Sequence, residues 1–480
     1  MHDVNQHQKY KKCQNINKGR FFYWPLLFII VAFSIYSTYE PEHYVVVLDP
    51  GHGGRDILPK NIYGDKYDPI IGEYRDHFRP GAQNKGITES EEVYKIAEKT
   101  AKILELTYTN EGKKKFEILL KKYAPDLKKI NWEAHKPIKV HLSRVNNHTE
   151  EYISKRVDVN APYRLYDYPD IYTGEMKKGT ISRINSLSPN LVVSLHFTSG
   201  RKEKYGALAS VITPNFDVYK QAITYVKTKN ISKKQKIRRK FFASKYLNWM
   251  VTNSSRTHFQ WFLCDAWIYF TGYWSKKDGL SPDTKKFRGY RHNMISWQYA
   301  DKGNWVDIAK NHPDNSSYSI NLENFIPEGP FWEREMDIPE KWRREDGKEG
   351  YGGDNLYASE ELLRYIKKSF ILNKVSSKKT APRILNPYIS TWSVPTYLNA
   401  ISAYLELGFL DNPYDRKRIL NNKDEYAEGL AVGIFSLFYS LDIKKIESEK
   451  DEPKGEPIDF FRYENYKGKN YFKTVQSGLN

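Results

Sequence analysis

The sequence predicts an α/β fold: a mostly parallel sheet flanked by helices on both faces, with a large aromatic-rich insertion and an N-terminal transmembrane helix. Three features of the 480 residues predict it. Short apolar runs typical of buried strands alternate with segments whose apolar residues recur at helical spacing. One long apolar run without a formal charge lies near the amino terminus. Most tryptophans are concentrated in one long stretch outside the strand and helix pattern.

Four short segments predict the strands of one sheet, and all but the second of them are apolar runs. They lie at residues 45–48, 139–144, 191–195 and 403–409. Helices are predicted over residues 89–106 and about 425–440, where the apolar spacing changes to that of a helix. Strands that alternate with helices along a chain are typical of a parallel sheet covered by those helices.

The apolar run at residues 21–39 has the composition of a membrane segment. At a rise of about 1.5 Å per residue it just spans a bilayer core of about 30 Å. Lysine and arginine residues precede it, so the positive-inside rule predicts a cytoplasmic leader at residues 1–20 and export of everything that follows. A cleaved signal peptide is the alternative, although no clean small-x-small cleavage site follows the run.

The formal net charge of +18 favours an acidic partner, such as an anionic membrane face, an anionic wall polymer or nucleic acid. The clearest basic run, residues 227–240, lacks the interleaved aromatic residues of a strand-binding groove, so we expect no nucleic-acid partner. Cys13 and Cys264 are the only cysteines, and they lie on opposite sides of the apolar run. This excludes a disulfide framework and a cysteine zinc cluster.

The stretch of residues 215–385 is too long for a loop within a compact domain, and it carries eight of the eleven tryptophans. We interpret it as an inserted subdomain whose tryptophans either form a small core or stack on sugar rings. It divides the main domain into residues 40–214 and 386–445. Residues 446–480 are polar and are predicted to form a mobile tail.

Three of the apolar runs end in, or contain, a polar residue suited to chemistry. His52 follows the first run in a glycine-flanked turn, His196 closes LVVSLH, and Glu406 lies within AYLELGF. Ligands of open α/β sheets bind outside the carboxyl ends of the strands, where the two histidines can converge. A carboxylate inside an apolar strand is costly to bury unless it has a partner or a function. Each residue taken alone is also explained by a purely structural role.

Glu89 is the first of several acidic residues at the start of the first predicted helix. Thr88 and Glu91 have the spacing of a capping box, which starts the helix at Glu89 and makes Glu91 a cap. Glu89 then projects from the first turn towards the core. Its simplest alternative role is to stabilise the positive end of the helix dipole. Glu92 lies near the same face, so local spacing alone does not choose between the two.

Four segments, VVVLDPGHGG, TESEEVYKIA, LVVSLH and LELGFLDN, resemble in that order the signatures of the zinc-dependent N-acetylmuramoyl-L-alanine amidases. The resemblance covers about residues 43–210 and 385–440 and implies an amidase domain there. It implies one Zn²⁺ per chain held by His52, Glu89 and His196, with Glu406 as the catalytic glutamate. The chain departs from the family in the long stretch between His52 and Glu89, in the residues after His196 and in the large insertion.

The implied reaction is hydrolysis of the amide bond between N-acetylmuramic acid and L-alanine in peptidoglycan. Peptidoglycan and the membrane are then the expected partners, and a protein activator is a further candidate. The expected location is the cell envelope, anchored in the inner membrane with the catalytic domain on the periplasmic side, or secreted there if the signal is cleaved. The alternatives are an autoinhibited or non-catalytic wall-binding protein on the same fold, and a zinc peptidase acting on another wall amide.

The uncharged run and its basic leader generate a prediction about topology. A reporter fused after residue 45 should be exported, and the full-length protein should stay in the membrane fraction after a high-salt wash. Fractionation and amino-terminal sequencing measure this. Recovery of a soluble species that begins near residues 37–41 would establish a cleaved signal peptide instead of an anchor.

Overall fold

The computed structural model describes the chain in four parts. It covers residues 42–213 except 58, 60–63, 69–72, 129, 145–158 and 200–202, then residues 342–343, residues 350–441 except 390–393 and 397, and finally residues 451–465, 470 and 472. From His43 onward these residues belong to one compact unit, His43–Asn480. The apolar run at residues 21–39 and most of the tryptophan-rich stretch lie outside the described residues. Within the described residues, no helix is both long enough and apolar enough to span a membrane.

The described strands are numbered in chain order. They are β1 Tyr44–Pro50, β2 Asp65–Asp68, β3 Glu73–Asp76, β4 Gln83–Asn84, β5 Ile87–Thr88, β6 Ile138–Leu142, β7 Tyr168–Pro169, β8 Met176–Lys177, β9 Leu191–Thr198, β10 Ala207–Ile212, β11 Arg383–Ile384, β12 Tyr388–Ile389 and β13 Ile401–Phe409. The described α-helices are α1 Glu89–Leu104, α2 Asn110–Tyr123, α3 Thr180–Ser186, α4 Gly352–Leu372, α5 Pro413–Asn421, α6 Lys423–Phe438 and α7 Phe461–Glu464. The first predicted helix therefore ends two residues early, and a 3₁₀ turn follows it.

The main sheet has the strand order β11-β10-β13-β9-β1-β6, and β12 also pairs with β10. Strand β1 runs parallel to β6 and β9, and β13 runs parallel to β9. Only the pair of β10 with β13 is antiparallel within this described sheet. The prediction of a mostly parallel sheet is therefore confirmed.

Alternation along the central strands separates two faces of the sheet, because successive side chains of a strand point to opposite faces. The parallel register aligns every second residue of β1, β9 and β13, so that these residues share one face. They are buried in one core cluster and comprise Val46, Leu48, Leu191, Val193, Leu195, Ile401, Ala403 and Leu405. Helices α1, α4 and α6 supply the other side of this core, and α6 contacts both of the others. In the described part of the chain, these three helices thus form one layer, and the prediction of helices on both faces is confirmed for this face only.

Helix α4 lies within the stretch that the sequence assigned to the inserted subdomain. It packs instead against α6 and β13, and its residues Leu362, Tyr365 and Ile366 belong to the main core. The apolar face of α4 is continuous with the core of the sheet, which the length of the stretch could not indicate. The expected boundary near residue 385 is therefore wrong for α4, while residues 214–341 lie outside the described residues.

Residues 451–465 also differ from the expectation of a mobile tail. Ile458, Phe460 and Tyr463 are buried in the main core. The Glu361 carboxylate of α4 accepts hydrogen bonds from two backbone N–H groups of this segment, those of Lys454 at 2.6 Å and Gly455 at 2.8 Å. A few apolar side chains spaced through a polar segment are enough to bury it once the helices supply a surface.

The packing of this segment predicts a contrast within α7. Tyr463 is 0% exposed and Phe461 is 68% exposed. Tyr463→Ala should lower the free energy of unfolding by about 3 kcal/mol, because it removes a buried aromatic side chain and leaves a cavity. Phe461→Ala should change it by no more than about 0.5 kcal/mol. Denaturant unfolding of both variants measures this, and equal effects would mean that the segment does not pack as described.

Candidate metal centre

His52 lies in the turn that follows β1. Its backbone has a φ of 60°, in the left-handed region that is uncommon for a residue other than glycine. Its Nδ1 lies 3.2 Å from the carbonyl oxygen of Arg79. A carbonyl can only accept, so Nδ1 carries the ring proton and Nε2 is the nitrogen that can act as a metal ligand. Nε2 lies 3.8 Å from Oε1 of Glu89.

His196 lies on β9, next to β1, and is buried. The Gly51 N–H donates to the carbonyl oxygen of Leu195 at 2.9 Å, which holds the turn against β9. A Cβ on Gly51 would lie 2.0 Å from Cε1 of His196, so only glycine lets the imidazole take this position. The His196 ring stacks on Tyr404 at 4.2 Å and stands perpendicular to the His52 ring at 4.9 Å.

Glu89 is the first residue of α1 and is 1% exposed. Its Oε2 accepts from the Ala82 N–H at 2.7 Å, and its Oε1 accepts from the Phe197 N–H at 2.9 Å. Oε1 also lies 3.1 Å from Nδ1 of His196. Two backbone donors from separate segments therefore orient the carboxylate before any metal binds.

The neighbouring acidic residues have other roles. Glu91 is exposed, and the Glu92 carboxylate lies 2.7 Å from the ammonium groups of Lys95 and Lys423. Thr88 is the N-cap, as predicted, but its side chain makes no capping hydrogen bond. The capping box is therefore wrong in detail, although the helix starts at Glu89. The tertiary structure decides which acidic residue at the start of α1 can be a metal ligand, because only Glu89 of the three contacts the two histidines.

His52, Glu89 and His196 offer ligand atoms that all lie within 4.8 Å of one another. A tetrahedral zinc site with bonds of about 2.0–2.1 Å separates its ligand atoms by roughly 3.4 Å. The 3.8 Å between Nε2 of His52 and Oε1 of Glu89 is close to that value. Two imidazoles and one carboxylate are also a donor set of catalytic zinc sites with an open position. The cluster therefore fits a zinc ion.

The charges of the cluster support one another. Burial by itself would raise the pKa of Glu89, but attraction to His52 and the hydrogen bond with His196 bring it below its ordinary value. Burial by itself would lower the pKa of His196, but the hydrogen bond and attraction of Glu89 raise it. Positive charge beside Glu89 is favourable, which is the condition for holding a cation there.

Glu406 lies on β13 directly beside His196 of β9 in the parallel register, so both side chains point to the same face of the sheet. Among the described residues its Oε2 has no hydrogen-bond partner, although the atom is buried. Burial raises the pKa of Glu406 to about 8, with attraction from His196 opposing the shift and repulsion from Glu89 adding to it. A carboxyl group with one buried, unpartnered oxygen beside a candidate metal centre is suited to proton transfer.

Sequence reasoning missed several residues that support this cluster. Tyr404 stacks on His196, and the buried Asp49 carboxylate accepts from Ser143 at 2.6 Å and Ser194 at 2.9 Å. The predicted strand at residues 139–144 includes Arg144, but β6 ends at Leu142. A polar residue at the carboxyl end of a predicted strand was the available signal for Asp49 and Arg144. No local pattern distinguishes Tyr404 from a core residue.

Fold and site together define an α/β protein with a His–Glu–His candidate metal centre at the carboxyl ends of its parallel strands. No protein-family model matches the chain, and no curated protein matches it. Solved structures that the chain resembles include N-acetylmuramoyl-L-alanine amidases.

Three of these structures illustrate the likeness. The amidase of Clostridium difficile 630 is 12% identical, with a TM-score of 0.29, and the match covers 84% of this chain and 100% of that one. Ami1 of Mycobacterium smegmatis is 10% identical, with a TM-score of 0.30 and coverages of 82% and 95%. The CwlD amidase of Clostridioides difficile, solved with the GerS lipoprotein, is 12% identical, with a TM-score of 0.30 and coverages of 82% and 97%.

The close approach of Gly51 to His196 predicts a selective defect. Gly51→Ala should displace the imidazole and weaken zinc binding at least about 10-fold, as disturbed ligand orientation does in metal sites. Gly86→Ala is the control, because its Cβ would meet no atom within 4 Å although its φ of 78° disfavours alanine. It should lower the free energy of unfolding by about 1 kcal/mol, because a Cβ disfavours the left-handed conformation, and it should leave zinc affinity unchanged. Chelator competition and thermal unfolding measure the two effects.

Proposed function

We propose that this chain is a zinc-dependent N-acetylmuramoyl-L-alanine amidase that hydrolyses the amide bond between N-acetylmuramic acid and L-alanine in peptidoglycan. The observation that carries the proposal is the convergence of His52, Glu89 and His196, with Glu406 beside His196. These are the four positions to which the sequence resemblance assigns the metal and the catalysis. They come from four separate segments of the chain. A metal ion and a substrate bound beside it would give all four residues a function in the same reaction.

The roles of the residues follow from their surroundings. His52, Glu89 and His196 would hold the ion, which when bound would polarise the scissile carbonyl and acidify a water molecule. The backbone donors at Ala82 and Phe197 keep the Glu89 carboxylate in its orientation while substrate binds. Tyr404 keeps the His196 ring in its plane by stacking on it.

Glu406 is the proposed general base and acid. The positive charge of an ion held by His52, Glu89 and His196 would lower the raised pKa of Glu406, so that the carboxylate could accept a proton from the attacking water. It then transfers that proton to the nitrogen of L-alanine as the C–N bond breaks. The products are a free lactyl carboxylate on the glycan strand and a stem peptide with a free amine.

The proposed location is the cell envelope, with residues 21–39 as the anchor and the catalytic unit on the outer side of the inner membrane. Its support is the order of basic leader and apolar run, together with a substrate that lies outside the cytoplasm. The net charge of +18 also favours association with an anionic envelope.

The function is tested by digesting purified wall sacculi with the protein and identifying the new ends by mass spectrometry. The expected products are glycan strands with free lactyl groups and stem peptides that begin with L-alanine. Stem peptides cut elsewhere would establish a peptidase, and binding to sacculi without new ends would establish a non-catalytic wall-binding protein.

The position of Glu406 predicts a separation of binding from catalysis. Glu406→Gln keeps the shape of the side chain but cannot accept a proton, so turnover should fall at least about 10²-fold. Zinc content should be unchanged, because His52, Glu89 and His196 remain. Zinc analysis, thermal unfolding and sacculus digestion on one preparation measure this. A stable, zinc-containing variant with near-normal turnover would contradict the proposed role of Glu406.

A further inference from the structure

Arg144 connects the two segments that carry His52 and Glu89. It follows β6 and is 5% exposed. Its Nε donates to the carbonyl oxygen of Pro50 at 3.0 Å, and its Nη2 donates to the carbonyl oxygen of Ser90 at 2.7 Å. Pro50 precedes His52 by two residues, and Ser90 directly follows Glu89. One guanidinium group therefore bonds to the backbone next to two of the three candidate ligands.

We propose that Arg144 is a positioning residue that sets the separation of His52 from Glu89 and thereby the affinity of the site for zinc. The inference rests on the proposed metal centre. It adds a function for a residue that acts on the ligands through the backbone on which they are carried.

The Arg144 guanidinium also contacts two aromatic rings, those of Tyr94 and Tyr163. The Arg144 guanidinium carbon lies 5.0 Å from the ring centre of Tyr94, which is on α1 with Glu89. It lies 5.4 Å from the ring centre of Tyr163. Tyr163 packs against the turn of His52, because a Cβ on Gly53 would come within 2.1 Å of its ring. Arg144 thus contacts both ligand-bearing segments through hydrogen bonds and through rings.

The chemistry of the side chain explains why arginine suits this position. Its planar fork presents N–H donors in fixed directions, whereas lysine has a single nitrogen on a flexible stem. Burial lowers the pKa of Arg144 to about 10, which leaves it protonated at neutral pH and able to donate from every nitrogen. Binding sites tolerate ligand displacements of only about 0.5 Å, so a loosened connection between the two segments should be measurable at the metal.

Arg418 provides a matched control. It is 4% exposed, and its guanidinium donates to the carbonyl oxygens of Tyr205 at 2.8 Å and Thr380 at 2.9 Å. It also pairs with Asp415 at 2.9 Å. Its substitution therefore removes a comparably buried guanidinium with two backbone carbonyl partners, and these partners lie outside both ligand-bearing segments.

The experiment compares Arg144→Lys and Arg144→Gln with Arg418→Lys and Arg418→Gln in the full-length protein. Zinc affinity is measured by chelator competition, the cobalt-substituted site by its visible absorption spectrum, and stability by thermal unfolding. Both Arg144 variants should bind zinc at least about 10-fold more weakly and show an altered cobalt spectrum, as expected when groups that orient ligands are changed. The Arg418 variants should lose stability while keeping parental zinc affinity and the parental spectrum.

Several outcomes would overturn the proposal. Parental zinc affinity and an unchanged cobalt spectrum in the Arg144 variants would make Arg144 a residue of the fold only. Failure to recover folded Arg144 variants, when the Arg418 variants fold, would lead to the same conclusion. A parent protein that binds no zinc would contradict the proposed metal centre itself, and this result is distinguishable from the others because it appears without any substitution.

Discussion

The Glu89 carboxylate joins parts of the chain that are far apart in sequence. It accepts hydrogen bonds from the Ala82 N–H, before its own helix, and from the Phe197 N–H on β9. It also contacts His52 and His196. Burying an ionised carboxylate is costly unless it is bonded and compensated by positive charge. The ionised Glu89 carboxylate therefore helps to hold three segments together. They are the turn after β1, the start of α1 and the end of β9.

Core residues and candidate site residues lie on opposite faces of the sheet, because successive side chains of a strand alternate between the two faces. Leu195 and Leu405 point into the helix-covered core, whereas His196 and Glu406, one position further along, point to the opposite face. Their parallel register places the two polar side chains side by side. The strands can thus keep an apolar face for stability while the other face presents a proposed metal ligand next to a proposed proton acceptor.

The long stretch between His52 and Glu89, which departs from the resembled family, contributes directly to the site. Its backbone supplies the Arg79 carbonyl to His52 and the Ala82 N–H to Glu89. Gly81 lies between them, and a Cβ there would come within 2.7 Å of Cβ of His52. The described part of this stretch is therefore placed against both ligands, and its unusual length is compatible with an intact cluster.

The amino-acid sequence by itself determined the pattern of the fold and the chemical candidates. Apolar runs and helical spacing predicted the central strands and α1 and α6, because burial on a sheet or helix imposes a period that the sequence must carry. The segments around His52, Glu89, His196 and Glu406 could be recognised because each joins a polar residue to such a run. The structure places all four together, while their chemical roles remain those of the proposal.

Only the tertiary structure decided what depends on contacts between distant segments. It selected Glu89 over Glu92, since the choice depends on where Phe197 and Lys423 lie. It joined α4 and residues 451–465 to the main core, against expectations based on length and polarity. It also revealed Arg144 between two ligand-bearing segments. Hydrogen bonds to backbone carbonyls leave no periodicity in a sequence, because any residue supplies the acceptor, and so only the folded chain identifies them.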